Sequence, residues 1–203
     1  KHKMHSKTTT LTFTVESGMV ENFFSFLQGG FTVKVNVGCS IKDYLCTQCG
    51  IEREYIANRV STIFLDYKLV DDIDSAVIYN DSILALSGAM PGLVGAVMRV
   101  GSYYASFRSS ITYKENLENH RSEHGRIRLK LFNLVMRELG PGFLERGIYI
   151  ESEDLTDFLF KQQDDFRHGC RNILMDGEPV KFEDLMDTQS SIQSSSVFIT
   201  VIT

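Results

Sequence analysis

The nine residues SIKDYLCTQ at positions 40–48 return in the second half of the chain as DLTDFLFKQ at positions 154–162. In both copies a helix-capping residue is followed by an aliphatic residue, an Asp, an aromatic residue and a Leu, an order typical of the start of an amphipathic helix. The pattern predicts two helices, beginning near Ser40 and near Asp154. Each should pack an apolar stripe on a core.

Alternation of apolar and polar residues predicts β-strands around each helix. In the first half the predicted strands are 11–15, 31–37, 61–65 and 82–87, and in the second half they are 126–132, 147–150, 173–175 and 196–201. The segment GPG at 140–142 predicts a break between the first two strands of the second half. Because the landmarks return in the same order at nearly the same spacing, we interpret the chain as a tandem duplication.

Composition places the chain among ordinary globular proteins. It has 203 residues, of which 43% are hydrophobic and 23% are charged, so it can form two small domains. The formal net charge of −5 argues against nucleic acid as a partner, although a local basic patch would escape this total. Four Cys without a framework spacing, and no apolar leader, predict a cytoplasmic protein. The uncharged run 82–98 is shorter than the roughly 20 residues that span a bilayer, so we expect no membrane partner.

The order of elements predicts an α+β fold. A unit of two strands, a helix and two further strands forms a mixed sheet that wraps over one main helix. We place the first domain at 8–107, with a glycine-rich extension, a polar linker at 108–124 and the second domain at 125–203.

The second half resembles the ubiquitin-like β-grasp domains of the ThiS/MoaD sulfur-carrier family. The resemblance rests on RLKLF at 128–132 running into RELG at 137–140, and on the turn MDGEPV at 175–180. The first half is similar through its helix and through LSGAMPG at 86–92, where the family has a tail of small residues. The resemblance implies two tandem β-grasp domains, each with a sheet face that is available to partner proteins.

Sulfur carriers of this family act through a free C-terminal Gly-Gly that becomes a thiocarboxylate. This chain ends in TVIT at 200–203, and its Gly29-Gly30 pair is internal. A β-branched terminus is too stiff to act as a flexible glycine tail. We therefore expect no sulfur-carrier activity.

The candidate site lies in the stretch from Gly88 to Arg108. Its glycine amides and arginines could hold a phosphate or carboxylate, with aromatic rings as walls. The alternatives are a packed connection between the domains and a surface for a partner or for self-association. The predicted binding residues are Gly92, Gly95, Arg99, Tyr103, Tyr104 and Arg108.

Cysteine and histidine side chains are candidate ligands for an iron–sulfur cluster or a metal ion. The spacing of Cys39, Cys46 and Cys49 is similar to that of plant-type ferredoxins, but the first interval is too long and the remaining Cys170 lies in the other half. His168 and Cys170 could supply two metal ligands, and so could His120 and His124. Neither pair completes a metal site. We expect neither a metal nor another cofactor.

Two functions of different classes follow. The favoured one is a non-catalytic binding or adaptor protein with a protein partner or self-association, because the sequence holds no complete catalytic set. The alternative is an enzyme, or an enzyme subunit, with a small anionic ligand bound at the 88–108 stretch.

Overall fold

The computed structural model describes residues 8–89, 92–102, 123–162, 165–188 and 195–203. The fold is α+β. The strands are β1 (Thr9–Val15), β2 (Phe31–Val37), β3 (Cys39–Ser40), β4 (Thr62–Leu65), β5 (Lys68–Leu69), β6 (Val77–Ile78), β7 (Ile83–Ser87), β8 (Glu123–Phe132), β9 (Ile148–Glu151), β10 (Cys170–Met175), β11 (Glu178–Pro179) and β12 (Ser196–Ile202).

Most helices are short. They are α1 (Phe24–Gly29), α2 (Ile41–Asp43), α3 (Arg53–Arg59), α4 (Gly92–Met98), α5 (Asn133–Arg146), α6 (Ser152–Lys161), α7 (Asp165–Gly169) and α8 (Phe182–Thr188). A 3₁₀ helix, Ser17–Phe23, precedes α1, and a π-helical turn, Tyr44–Gln48, follows α2.

The chain forms two compact units. The first unit combines Lys1–Phe31 with Leu139–Thr203, and the second unit is Thr32–Glu138. This division differs from the predicted boundaries at 107 and 125. The physical reason is strand pairing, since β1 pairs with β10 and β12 whereas β8 pairs with β7. Each half of the sequence thus supplies a central strand to the unit that is built mainly from the other half.

In the first unit the strand order is β11-β10-β1-β12-β9. The central strands β1 and β12 are parallel, with Leu11 opposite Ile199, and each has an antiparallel neighbour on its other side. On the inner face, Phe13 joins a cluster of aromatic rings that comprises Phe23, Phe26, Phe158, Phe166 and Phe182. This cluster is the core of the unit.

In the second unit the strand order is β2-β8-β7-β4-β5, and β3 and β6 form a separate two-stranded sheet. The central strands β7 and β8 are parallel, with Leu84 opposite Leu129, and β4 is antiparallel to both β5 and β7. Alternate residues of β7 and β8 are fully buried, and the helical segment after Ser40 contributes Ile41, Tyr44 and Leu45 to the core.

The predicted helix starts have different outcomes. Ser40 is the cap of α2, and its hydroxyl accepts a 3.1 Å hydrogen bond from the Asp43 amide, which confirms the first prediction. The second helix begins earlier than predicted, because Asp154 lies inside the first turn of α6 and Glu151 occupies the cap position. The predicted break at 140–142 is wrong, since Pro141 lies inside α5. At Gly140 a Cβ would lie 2.5 Å from Leu27 Cδ1, so a glycine is required for close packing there.

Candidate functional site

The described part of the predicted site is α4 and the residues that follow it. Gly92 begins α4 with a positive φ of 77°, Gly95 is buried, and Arg99 is exposed. Tyr103, Tyr104 and Arg108 lie outside the described residues.

The length of the 88–108 stretch has a topological cause. It belongs to the connection between β7 and β8, which are neighbouring parallel strands. A parallel connection must return the chain to the opposite end of the sheet, and it needs a dozen or more residues. Residues 88–108 therefore belong to the connection between two paired strands of the second unit, where the sequence predicted an extension that leads into a linker between two domains.

A cavity of ≈ 480 Å³ lies beside Arg99, and we call it the α4 cavity. Apolar residues, including Ile56 and Ile63, form part of its wall, while Arg53, Asp71 and Arg99 contribute charged groups. Arg53 also pairs with Asp74 at 3.5 Å, and the Gly101 amide donates a 3.2 Å hydrogen bond to Asp71. The cavity brings Arg99 together with residues of α3 and β4 that the sequence analysis did not include.

A hydrogen-bonded cluster holds α3, which supplies one wall of the α4 cavity. Glu138 accepts a 2.7 Å hydrogen bond from the Tyr55 hydroxyl and also pairs with Arg59. The hydrogen bonds from Arg59 and Tyr55 hold the pKa of Glu138 below its usual value. Burial, and then the bond to Glu138, raises the pKa of Tyr55. The cluster positions α3 and keeps Glu138 ionised.

The most pronounced charge pattern lies on β8. His124, Arg126, Arg128 and Lys130 alternate with Gly125, Ile127, Leu129 and Leu131. The three aliphatic residues are fully buried, so the four basic residues point to the other face of the sheet. We call these four residues the basic row.

The row follows one strand in an otherwise acidic chain. His124 and Arg126 are exposed, and Arg128 and Lys130 are half-buried. Their partners across the parallel pairing on β7 are uncharged, with Ile83 opposite Arg128 and Ala85 opposite Lys130. Arg126 also pairs with Asp81 at 2.7 Å, where both side chains are more than half exposed, at 66% and 58%.

A groove of ≈ 500 Å³ adjoins the first half of the basic row, and we call it the β8 groove. It is lined by Lys34, Val35, Asn36, Gln48, Asn80, His124, Gly125 and Arg126. The groove thus adds a cation from β2, Lys34, to the end of the row.

Local hydrogen bonds determine the shape of the β8 groove. The Gln48 side chain, at the end of the π-helical turn, accepts from the Asn36 amide at 2.8 Å and donates to the Asn36 carbonyl at 2.9 Å. Asn80 Oδ1 accepts a 3.0 Å hydrogen bond from the Arg126 amide. A Cβ at Gly125 would lie 2.8 Å from that oxygen, so a side chain there would push Asn80 out of place.

The cysteines do not converge on one point. Cys39, Cys46, Cys49 and Cys170 are not joined in disulfides, and all four are partly buried. Across the ranges that the structure describes, no three or more His, Cys, Asp or Glu side chains are grouped so that they could hold a metal ion. Burial raises the pKa of both Cys39 and Cys170, which disfavours their thiolates.

The basic row was not predicted from the sequence, although its pattern is present there. The alternation in EHGRIRLKLF at 123–132 predicted a strand, and every polar position from His124 to Lys130 in that alternation is basic. The net charge of the whole chain obscured this local pattern.

Within the residues that the structure describes, no helix combines the length and the apolar character that crossing a membrane requires.

In comparisons with known proteins, no protein-family model, no curated protein and no solved structure matches this chain.

Proposed function

We propose that this chain is a non-catalytic binding protein built from two β-grasp units, and that the basic row binds a negatively charged partner protein. Each unit has five strands in a mixed sheet with two parallel strands in the centre, β1 and β12 in the first unit and β7 and β8 in the second. This central parallel pair supports the β-grasp assignment, with two additional features. Strands β1 and β8 come from the other half of the sequence, and β1 lies beside β10 whereas β8 lies beside β2.

The observation that carries the function is the concentration of positive charge. The chain has a formal net charge of −5, yet four consecutive outward positions of β8, from His124 to Lys130, are basic and Lys34 lies at one end of the row. Such a local field attracts an acidic partner and orients it during encounter, whereas the negative remainder of the chain repels it. Binding through the row should therefore be specific to one face and sensitive to salt.

A protein partner fits the face better than a nucleic acid does. Sheets that bind single-stranded nucleic acid present aromatic rings on which the bases stack. Next to the basic row, the outward positions of β7 are the aliphatic Ile83 and Ala85. Aromatic rings on this face, Phe132 beyond the end of the row on β8 and Phe64 one strand further away on β4, lie at the margin of the row and not among its basic groups. The described face therefore matches carboxylates better than bases.

Reversal of two charges in the row should abolish most of this binding. We expect Arg128→Glu/Lys130→Glu to weaken binding of poly-L-glutamate by tenfold or more, because four units of charge change and each exposed ion pair is worth roughly 0.2–1 kcal/mol. Isothermal titration calorimetry at about 50 mM salt measures the affinity.

The matched control is Arg171→Glu/Lys181→Glu, which makes the same two changes at exposed positions of the first unit. It alters net charge equally and should leave the affinity within about twofold, since the row is intact. Equal loss in both variants would show that net charge alone governs binding and would contradict the proposal.

The α4 cavity supports a second candidate function, the binding of a small organic anion with an apolar group. Arg53 and Arg99 provide the cationic groups, and Ile56 and Ile63 provide apolar wall. The α4 cavity is therefore the place where the alternative function, an enzyme or enzyme subunit with a small anionic ligand, would have its binding site.

A thermal-shift screen of aliphatic and aromatic carboxylates tests this candidate. A ligand at about 100 times its Kd stabilises the native state by about 2.7 kcal/mol, so a binder should raise the Tm of the chain by several degrees. Arg99→Gln should abolish the shift, and Lys68→Gln, at an exposed position of the same unit outside the cavity lining, should retain it. A shift that persists in Arg99→Gln would remove Arg99 from the site.

A further inference from the structure

We infer that the partner segment bound by the basic row is an extended acidic peptide with a carboxylate at every second residue. The inference rests on the proposed function and specifies its partner. It follows from the geometry of the row itself, in which the basic groups stand on one continuous strand.

The spacing of the row selects the conformation of its partner. A strand rises about 3.3 Å per residue, so alternate side chains such as Arg126, Arg128 and Lys130 stand about 6.6 Å apart. An extended peptide that lies along β8 repeats its inward-facing side chains at the same distance. Carboxylates at every second residue can therefore pair with successive basic side chains of the row, whereas the carboxylates of adjacent residues in an extended chain point to opposite sides.

The surroundings of the row favour a peptide that lies along the strand. On the β7 side the row is bordered by Ile83 and Ala85, which are uncharged. At its other end His124 lies in the β8 groove together with Lys34. The groove has room for a larger side chain at the end of the segment, next to two further basic groups.

The pair between Arg126 and Asp81 does not block this arrangement. Both side chains are mostly exposed, so water can replace either partner at little expense in free energy. A peptide carboxylate can displace Asp81 from Arg126 and restore the same type of ion pair. Arg128 and Lys130 continue the row beyond this position.

Two peptides of about twelve residues and identical composition test the spacing. One alternates Glu and Ser, and the other has the same residues in blocks of three Glu and three Ser. Fluorescence anisotropy with the full chain should show the alternating peptide binding up to about fivefold more tightly, because it can place a carboxylate opposite all four basic residues of the row, whereas the block peptide leaves at least one of them without a carboxylate. Lys130→Glu should remove most of this preference, whereas Lys181→Glu should preserve it.

The other outcomes separate the two levels of the proposal. Equal affinity for both peptides, with sensitivity to Lys130→Glu, would overturn the spacing inference and leave the proposed function standing. No binding of either peptide would overturn the proposed function as well. A single-stranded DNA of equal charge that binds more tightly than the alternating peptide would overturn both in favour of nucleic acid. Circular dichroism confirms that each variant is folded.

Discussion

A fragment that contains residues 125–203 alone is expected to remain unfolded. It lacks β1, which pairs on one side with β10 and on the other with β12 in the centre of the first unit. Leu11, Phe13 and Val15 of β1 are at most 1% exposed. Burial of one such side chain contributes about 1.5–3 kcal/mol, so the loss of three approaches the 5–15 kcal/mol by which a whole domain is stable.

The complementary fragment, residues 8–107, should fail for the matching reason. It retains β7 and lacks β8, the parallel neighbour of β7, with the fully buried Ile127, Leu129 and Leu131. Circular dichroism and the dispersion of amide resonances in a ¹H–¹⁵N spectrum measure folding. The control is residues 8–203, which retains every described strand and should fold.

These fragments distinguish the two divisions of the chain. Under the division predicted from the sequence, both fragments are complete domains and should unfold cooperatively with their own midpoints. Cooperative unfolding of isolated 125–203 would therefore support tandem domains and contradict the central position of β1.

The second large effect is expected from Phe23→Ala. Phe23 is fully buried, and its ring lies 5.3 Å from Phe13, 6.3 Å from Phe26, 4.9 Å from Phe158 and 5.6 Å from Phe166. Removal of the ring leaves a cavity bordered by four stiff aromatic side chains, which cannot collapse to fill it. We expect a loss of about 3–5 kcal/mol in the free energy of unfolding, measured by urea denaturation.

Phe160→Ala is the control for Phe23→Ala. Phe160 is on α6 two residues after Phe158, and 56% of it is exposed. Its removal should change the free energy of unfolding by less than about 0.5 kcal/mol. A similar loss in both variants would indicate that the aromatic cluster is not the core of the first unit.

Much of the local structure follows from the order of residues. Strand β2 occupies the predicted range 31–37, and the other predicted strands agree with the observed ones within a few residues at each end. The Ser40 cap was predicted because capping depends on residues within one turn of each other. The second helix begins at Ser152, two residues before the predicted Asp154, because Glu151 occupies the cap position without a side-chain hydrogen bond, so a pattern based on capping side chains does not mark it.

Of the predicted binding residues that the structure describes, Arg99 lines the α4 cavity, and it was selected from a glycine-punctuated sequence. The other walls come from α3 and β4, whose residues carry no local signature because their nearness depends on how distant segments pack. The basic row was encoded within one strand, yet its importance depends on which face of β8 is buried and on the uncharged neighbours that β7 supplies.

Periodicity in the sequence was enough to establish the α+β class, the extent of most strands and the position of the first helix, because each depends on contacts between near neighbours in the chain. The neighbour of each strand in the sheet could not be predicted from periodicity. Two strands have similar alternating patterns, Thr9–Val15 and Glu123–Phe132. Either one could occupy the centre of a sheet beside a parallel neighbour. Which position each strand fills depends on the fit of its buried side chains to residues more than a hundred positions away, and that fit exists only when the chain is folded.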